Sequence, residues 1–176
     1  MIHSFLSLFF VGEKAQNGGY IPPKTDLKND DCKQMIDILT NVFLKKHINA
    51  SGKETITNEI VLNLPEIKII SIGLLHIFIK HTSASLTLNE NTDQSVRIDF
   101  ESHFNNMVPE GGGYYTHKDE GSDDMPAHIK SSILGSSLTI PINSGYLNLG
   151  TWQGIYLCEH REIAKSRKIV LTIQGN

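Results

Sequence analysis

The strongest apolar run in the chain is GLLHIFIKH, residues 73–81. Alternation puts Leu75, Ile77, Ile79 and His81 on one face and Leu74, His76, Phe78 and Lys80 on the other. Both faces are largely apolar, which predicts an interior strand. Further strands are predicted at residues 137–142, 146–149, 155–160 and 168–173, punctuated by Asn-Ser-Gly, by Gly-Thr-Trp-Gln-Gly and by a charged loop. Residues 36–48 fit either a strand or a short helix.

Helical periodicity is confined to three places. Thr57 is placed to cap a short helix with Glu59 in its first turn and Pro65 as its stop. A longer helix starts near residue 91 or 92, with Asp93 at the positive end of its dipole. Val96, Phe100, Phe104 and Met107 form its predicted core stripe. A third helix is capped by Asp124, carries Pro126 in its first turn and stops at Gly135. Its His128, Ser131 and Ser132 share a face. Strands outnumber helices without regular βαβα alternation. The expectation is therefore a compact α+β domain with a largely antiparallel or mixed sheet and a few helices.

Residues 12–34 are rich in Gly, Asn, Lys, Asp and Pro, the composition of a linker. Residues 1–34 are accordingly expected to be a flexible extension, and 35–176 the folded domain. The apolar stretch 2–11 falls short of the ~20 residues a bilayer span needs. It also lacks the basic start of a secretory signal. A cytoplasmic location is expected, with organelle targeting by this segment as the alternative. The 16 basic and 19 acidic residues give a net charge of −3 and form no basic patch, so neither nucleic acid nor membrane is an expected partner. Cys32 and Cys158 provide neither a disulfide framework nor a CxxC knuckle and read as free thiols.

Candidate chemistry is concentrated in HKDEGSDDMPAH, residues 117–128, which puts two imidazoles and four carboxylates on twelve positions at a helix start. His81 ends the apolar strand beside Thr82 and Ser83. His81, His117 and His128 all lie at element boundaries, where scaffolds present functional groups, and three imidazoles suit zinc or a similar ion. Asp124 reads as a helix cap, or else Asp123 or Asp124 is the carboxylate that orients a histidine. Glu90 and Glu159 each end an apolar stretch, as a general base can or as a solvated strand end does. Thr82, Ser83, Ser132 and Gln153 add polar groups for an anionic ligand. P-loop, Rossmann and GxSxG patterns are absent.

Four blocks then carry a family resemblance: HTSASLTLNEN (81–91), HKDEGSDDMPAHIKSSILGSSLTIPI (117–142), LGTWQGIYLCEHR (149–161) and SRKIVLTIQG (166–175). Together they resemble the signature of the YjbQ family, labelled secondary thiamine-phosphate synthase. The resemblance implies an α+β homotrimer with a site near subunit boundaries. It implies metal ligation by His81, His117 and His128, with magnesium or zinc as the ion. Catalytic roles fall on His117, His128, Asp124, Glu90 and Glu159, and a small phosphorylated metabolite is the implied partner. The implied reaction couples a pyrimidinylmethyl pyrophosphate to a thiazole phosphate. The alternatives are a metal-dependent hydrolase of a phosphorylated metabolite and a non-catalytic trimeric binding module. Thr92 stands where relatives often carry Ala or Cys, so this chain has no nucleophilic thiol there.

Overall fold

The computed structural model describes residues 36–44, 53–163 and 166–176. The expected extension 1–34 and the end of the 36–48 run lie outside them. In chain order the elements are β1 (Ile36–Leu44), β2 (Lys53–Thr55), α1 (Thr57–Leu62) and a 3₁₀ turn at Pro65–Ile69. There follow β3 (Ile72–Ile79), β4 (Ala84–Glu90), α2 (Gln94–Met107) and α3 (Asp124–Leu134). The chain ends with β5 (Ser137–Asn143), β6 (Tyr146–Leu147), β7 (Gln153–Glu159) and β8 (Arg167–Gly175). The ambiguous segment 36–44 is a strand.

Two sheets form, of order β1-β8-β3-β5-β6 and β2-β7-β4. Among the described strands every pairing is antiparallel. One apolar cluster joins them. It takes Leu75, Ile77 and Ile79 from β3, Leu171 and Ile173 from β8, Leu86 from β4 and Leu157 from β7. Each of these is at most 1% exposed, and a buried aliphatic side chain of this size contributes roughly 1.5–3 kcal/mol. Ile60 of α1 and Ile67 of the 3₁₀ turn belong to the same cluster. α3 packs on β4, where the buried Ser131 hydroxyl donates to the Ala84 carbonyl at 2.9 Å.

Several expectations change in detail. β3 is interior, lying between β8 and β5, but its second face is open: Leu74, His76 and Phe78 are exposed. Alternation identified the two faces correctly, but it carries no information on what covers the second. Thr57 does not cap α1. Ile56 holds that position, and the Thr57 hydroxyl instead accepts from the Ile155 amide of β7 at 2.9 Å. α2 starts at Gln94, slightly later than expected, and Asp93 is its cap, accepting from Ser95 N–H at 2.8 Å. Of the predicted α2 stripe Phe104 is buried, while Met107 is 48% exposed.

Candidate functional site

The polar region forms where β3 and β7 end and α3 begins. At the start of α3 Asp123, not Asp124, takes the cap position, and neither carboxylate makes a side-chain cap bond. This frees Asp124 to point elsewhere. It is 2% exposed, and its Oδ2 lies 2.7 Å from His117 Nε2. Its Oδ1 accepts from Arg161 Nη1 and lies 3.6 Å from His128 Nε2, one helical turn on. The ligand-type atoms of His117, Asp124 and His128 all lie within 4.8 Å of one another.

The second nitrogen of His128 settles its tautomer. Nδ1 sits 3.1 Å from the Thr82 carbonyl, which can only accept, so Nδ1 carries a proton and Nε2 is the nitrogen turned toward Asp124. This is how backbone carbonyls orient metal-ligating imidazoles. Two imidazoles and a carboxylate at this separation fit a divalent transition ion of the zinc or iron type. The same atoms also make a histidine–aspartate pair in which Asp124 steers His117.

His81 lies outside this trio. Its Nδ1 faces the Ser83 amide and hydroxyl, both at 3.1 Å, and its Nε2 faces Arg167 Nη1 at 3.2 Å. Burial and then the Arg167 charge hold its pKa below the ordinary histidine value. Arg167 in turn donates from Nε to Glu159 Oε2 at 2.6 Å. Glu159 Oε1 accepts the His160 and Arg161 amides, each at 3.0 Å. Arg161 also reaches Asp123 at 3.0 Å and the Glu120 carbonyl at 2.6 Å. Burial alone would raise the Asp123 carboxyl, but hydrogen bonds from the Glu162 amide and Arg161 outweigh it and hold the pKa low.

The sequence-predicted residues thus separate into groups. His117, His128 and Asp124 come together, with Thr82 behind His128, while His81, Ser83 and Glu159 form an adjoining network through Arg167. Ser132 turns back on its own helix, donating to the His128 carbonyl at 2.9 Å. Glu90 and Gln153 pair at one end of the β4–β7 ladder, whereas Ala84 and Glu159 pair at the other. Six strand steps at ~3.3 Å put roughly 20 Å between these ends, so one chain does not bring Glu90 or Gln153 to the histidines. Arg161 and Arg167 were not singled out from sequence, whereas Asp123, offered with Asp124 as a partner for a histidine, pairs with Arg161 instead. The signal for the two arginines was their placing just beyond strand-end Glu159 and at the start of the last strand.

Comparison with known proteins agrees with the sequence blocks. Residues 45–176 match the family model described as "UPF0047 protein YjbQ-like". The UPF0047 protein YjbQ of Escherichia coli O157:H7 is 52% identical over 124 residues, covering 70% of this chain and 89% of that protein. UPF0047 protein MJ1081 of Methanocaldococcus jannaschii is 37% identical, covering 69% and 87%. A crystal structure of an uncharacterised YjbQ/UPF0047 family protein from Clostridium acetobutylicum superposes with a TM-score of 0.67 at 37% identity, covering 76% of this chain and 98% of that one. A YbjQ-like protein of unknown function from Sulfolobus solfataricus shares the fold, with a TM-score of 0.71 at 22% identity, covering 81% and 100%. The antiparallel two-sheet α+β fold, the match over residues 45–176 and the identity to these relatives together make this chain a member of the YjbQ/UPF0047 family.

Proposed function

We propose that this chain is a metal-dependent enzyme acting on a phosphorylated metabolite, with His117, His128 and Asp124 holding the ion. The observation that carries the reading is the three-donor group with the His128 tautomer fixed by the Thr82 carbonyl. His81 is left out of the ligand set because Arg167, a cation, faces its Nε2 at 3.2 Å, where a second positive charge is disfavoured.

The specific reaction proposed is of the thiamine-phosphate synthase type: a pyrimidinylmethyl pyrophosphate loses pyrophosphate and is captured by a thiazole phosphate nitrogen. A divalent ion supplies Lewis acidity toward the leaving pyrophosphate. Asp124 orients His117, whose half-exposed ring is accessible to a substrate proton. Burial and the Arg167 charge favour the neutral form of His81, against the pull of Glu159, and leave it an acceptor beside the trio. A homotrimer is part of this reading. Ile72, Leu74 and Phe78, 67%, 46% and 40% exposed on the open face of β3, supply an apolar surface for subunit contact.

The test is incubation of the purified protein with both substrates and magnesium or zinc, with thiamine phosphate read by thiochrome fluorescence. Product that disappears in His128→Ala supports the coupling reaction. Release of inorganic phosphate or pyrophosphate without thiamine phosphate moves the assignment to hydrolysis. Neither product from the metal-loaded protein overturns the enzymatic reading.

A further inference from the structure

The end of the β4–β7 ladder away from the histidines carries a cavity of about 570 Å³, within the size range of small-molecule sites. Leu88, Glu90, Trp152 and Gln153 are among its lining residues, and none of the lining residues is basic. Glu90 and Gln153 are direct cross-strand partners, so their side chains leave the sheet on one face, the face that buries Leu86 and Leu157 further along.

The frame of this cavity is tied down by backbone contacts. The Asn91 amide donates to the Trp152 carbonyl at 2.7 Å, and the Tyr156 hydroxyl donates to the Glu90 carbonyl. Gln153 Oε1 accepts from the Gly150 amide at 2.8 Å, which orients its amide nitrogen as a remaining donor. Trp152 is 64% exposed, leaving much of its ring surface accessible. A tryptophan ring and a carboxylate on one small cavity, with no lysine or arginine in its lining, select for positive charge on an apolar body.

We propose that this cavity binds a small organic cation, a quaternary ammonium or cationic nitrogen heterocycle, with the charge set between the Trp152 ring and the Glu90 carboxylate. This inference does not depend on the metal centre at the other end of the ladder.

Trp152 is the only tryptophan in the chain, so its fluorescence reports on this cavity alone. Choline is titrated into the full-length protein, followed by Trp152 emission and by calorimetry. 3,3-Dimethyl-1-butanol, of the same shape without the charge, is the comparison. Choline is expected to bind at least about tenfold more tightly than the alcohol, and Glu90→Gln to weaken choline by about tenfold while leaving the alcohol unchanged. Calorimetry on Trp152→Leu is expected to show a comparable loss. Equal affinity for choline and the alcohol, no choline binding to the folded protein, or unchanged affinity in both variants overturns the proposal. His128→Ala is expected to leave choline binding intact, which separates failure here from failure of the metal reading.

Discussion

Arg167 Nε lies 2.6 Å from Glu159 Oε2, with the two side chains only 5% and 2% exposed. A pair this dry is costly to break one side at a time, because the survivor is a buried charge without its partner. Arg167→Met is therefore expected to destabilise the fold by about 3 kcal/mol. For a chain of this size that corresponds to a fall in Tm of roughly 6–12 °C, read by calorimetry. Combining it with Glu159→Leu recovers only part of the loss, since Glu159 also accepts two backbone amides. A single-variant cost below about 1 kcal/mol would show that water reaches the pair.

Burial and then the same arginine favour the neutral form of His81. Donors face both of its ring nitrogens, Ser83 N–H at Nδ1 and Arg167 Nη1 at Nε2, and an imidazolium has no lone pair for either. The lowered folded-state pKa makes the unfolded chain the better proton binder. Its contribution to stability is therefore complete above the ordinary histidine pKa and is lost as pH falls through and below it. NMR titration of the His81 ring should give a midpoint below about 6.5, moving upward in Arg167→Met. A midpoint that is unshifted in the native chain contradicts the burial and charge argument.

Metal loading distinguishes the proposed ligand set of His117, His128 and Asp124 from the one expected of three histidines. Cobalt(II) titration, read by its visible absorption bands, is expected to saturate at one site per chain. His117→Ala, His128→Ala and Asp124→Asn should each weaken loading by about 10-fold or more, and His81→Ala should leave it within a few-fold. Strong loss in His81→Ala would restore His81 to the ligand set. No cobalt bands in the native protein would leave the trio as a histidine–aspartate pair acting by proton transfer alone.

Much of this was legible in the sequence, for local reasons. β3 announced itself through alternation, β5 to β8 through runs bounded by turn signals, and the ends of α3 through Pro126 and Gly135, because these signals lie within a few residues of one another, whereas 36–44 stayed open between strand and helix. The density of titratable groups in 117–128 likewise marked the site, and His117, Asp124 and His128 do meet there. The role of Asp124 was legible only as one of two alternatives. A carboxylate at a helix start reads as a cap or as a histidine's partner, and it is His117 and Arg161, 37 residues on, that hold it inward. Nor could Glu90 and Glu159 be separated. Both follow apolar strand residues, and antiparallel pairing of β4 with β7 sends them to opposite ends of one ladder.

Glycine positions give a final, sharp test of the sheet packing. At Gly73 in β3 an added Cβ would lie 2.4 Å from the Gln174 carbonyl oxygen and 2.8 Å from Ile70 Cγ2. The first of these is backbone of the paired strand β8, which cannot yield without disturbing the ladder. Gly73→Ala is expected to cost about 1–3 kcal/mol, as overpacking of a close-packed interior does. Gly113 is the control: a Cβ there meets nothing within 4 Å, and its φ lies outside the left-handed region. Gly113→Ala should be neutral or stabilise by about 0.4–1 kcal/mol by restricting the unfolded chain. Chemical denaturation of the two variants checks the contrast. Equal stability would mean that β3 and β8 sit further apart than the register requires, and that the core they share is looser than its burial indicates.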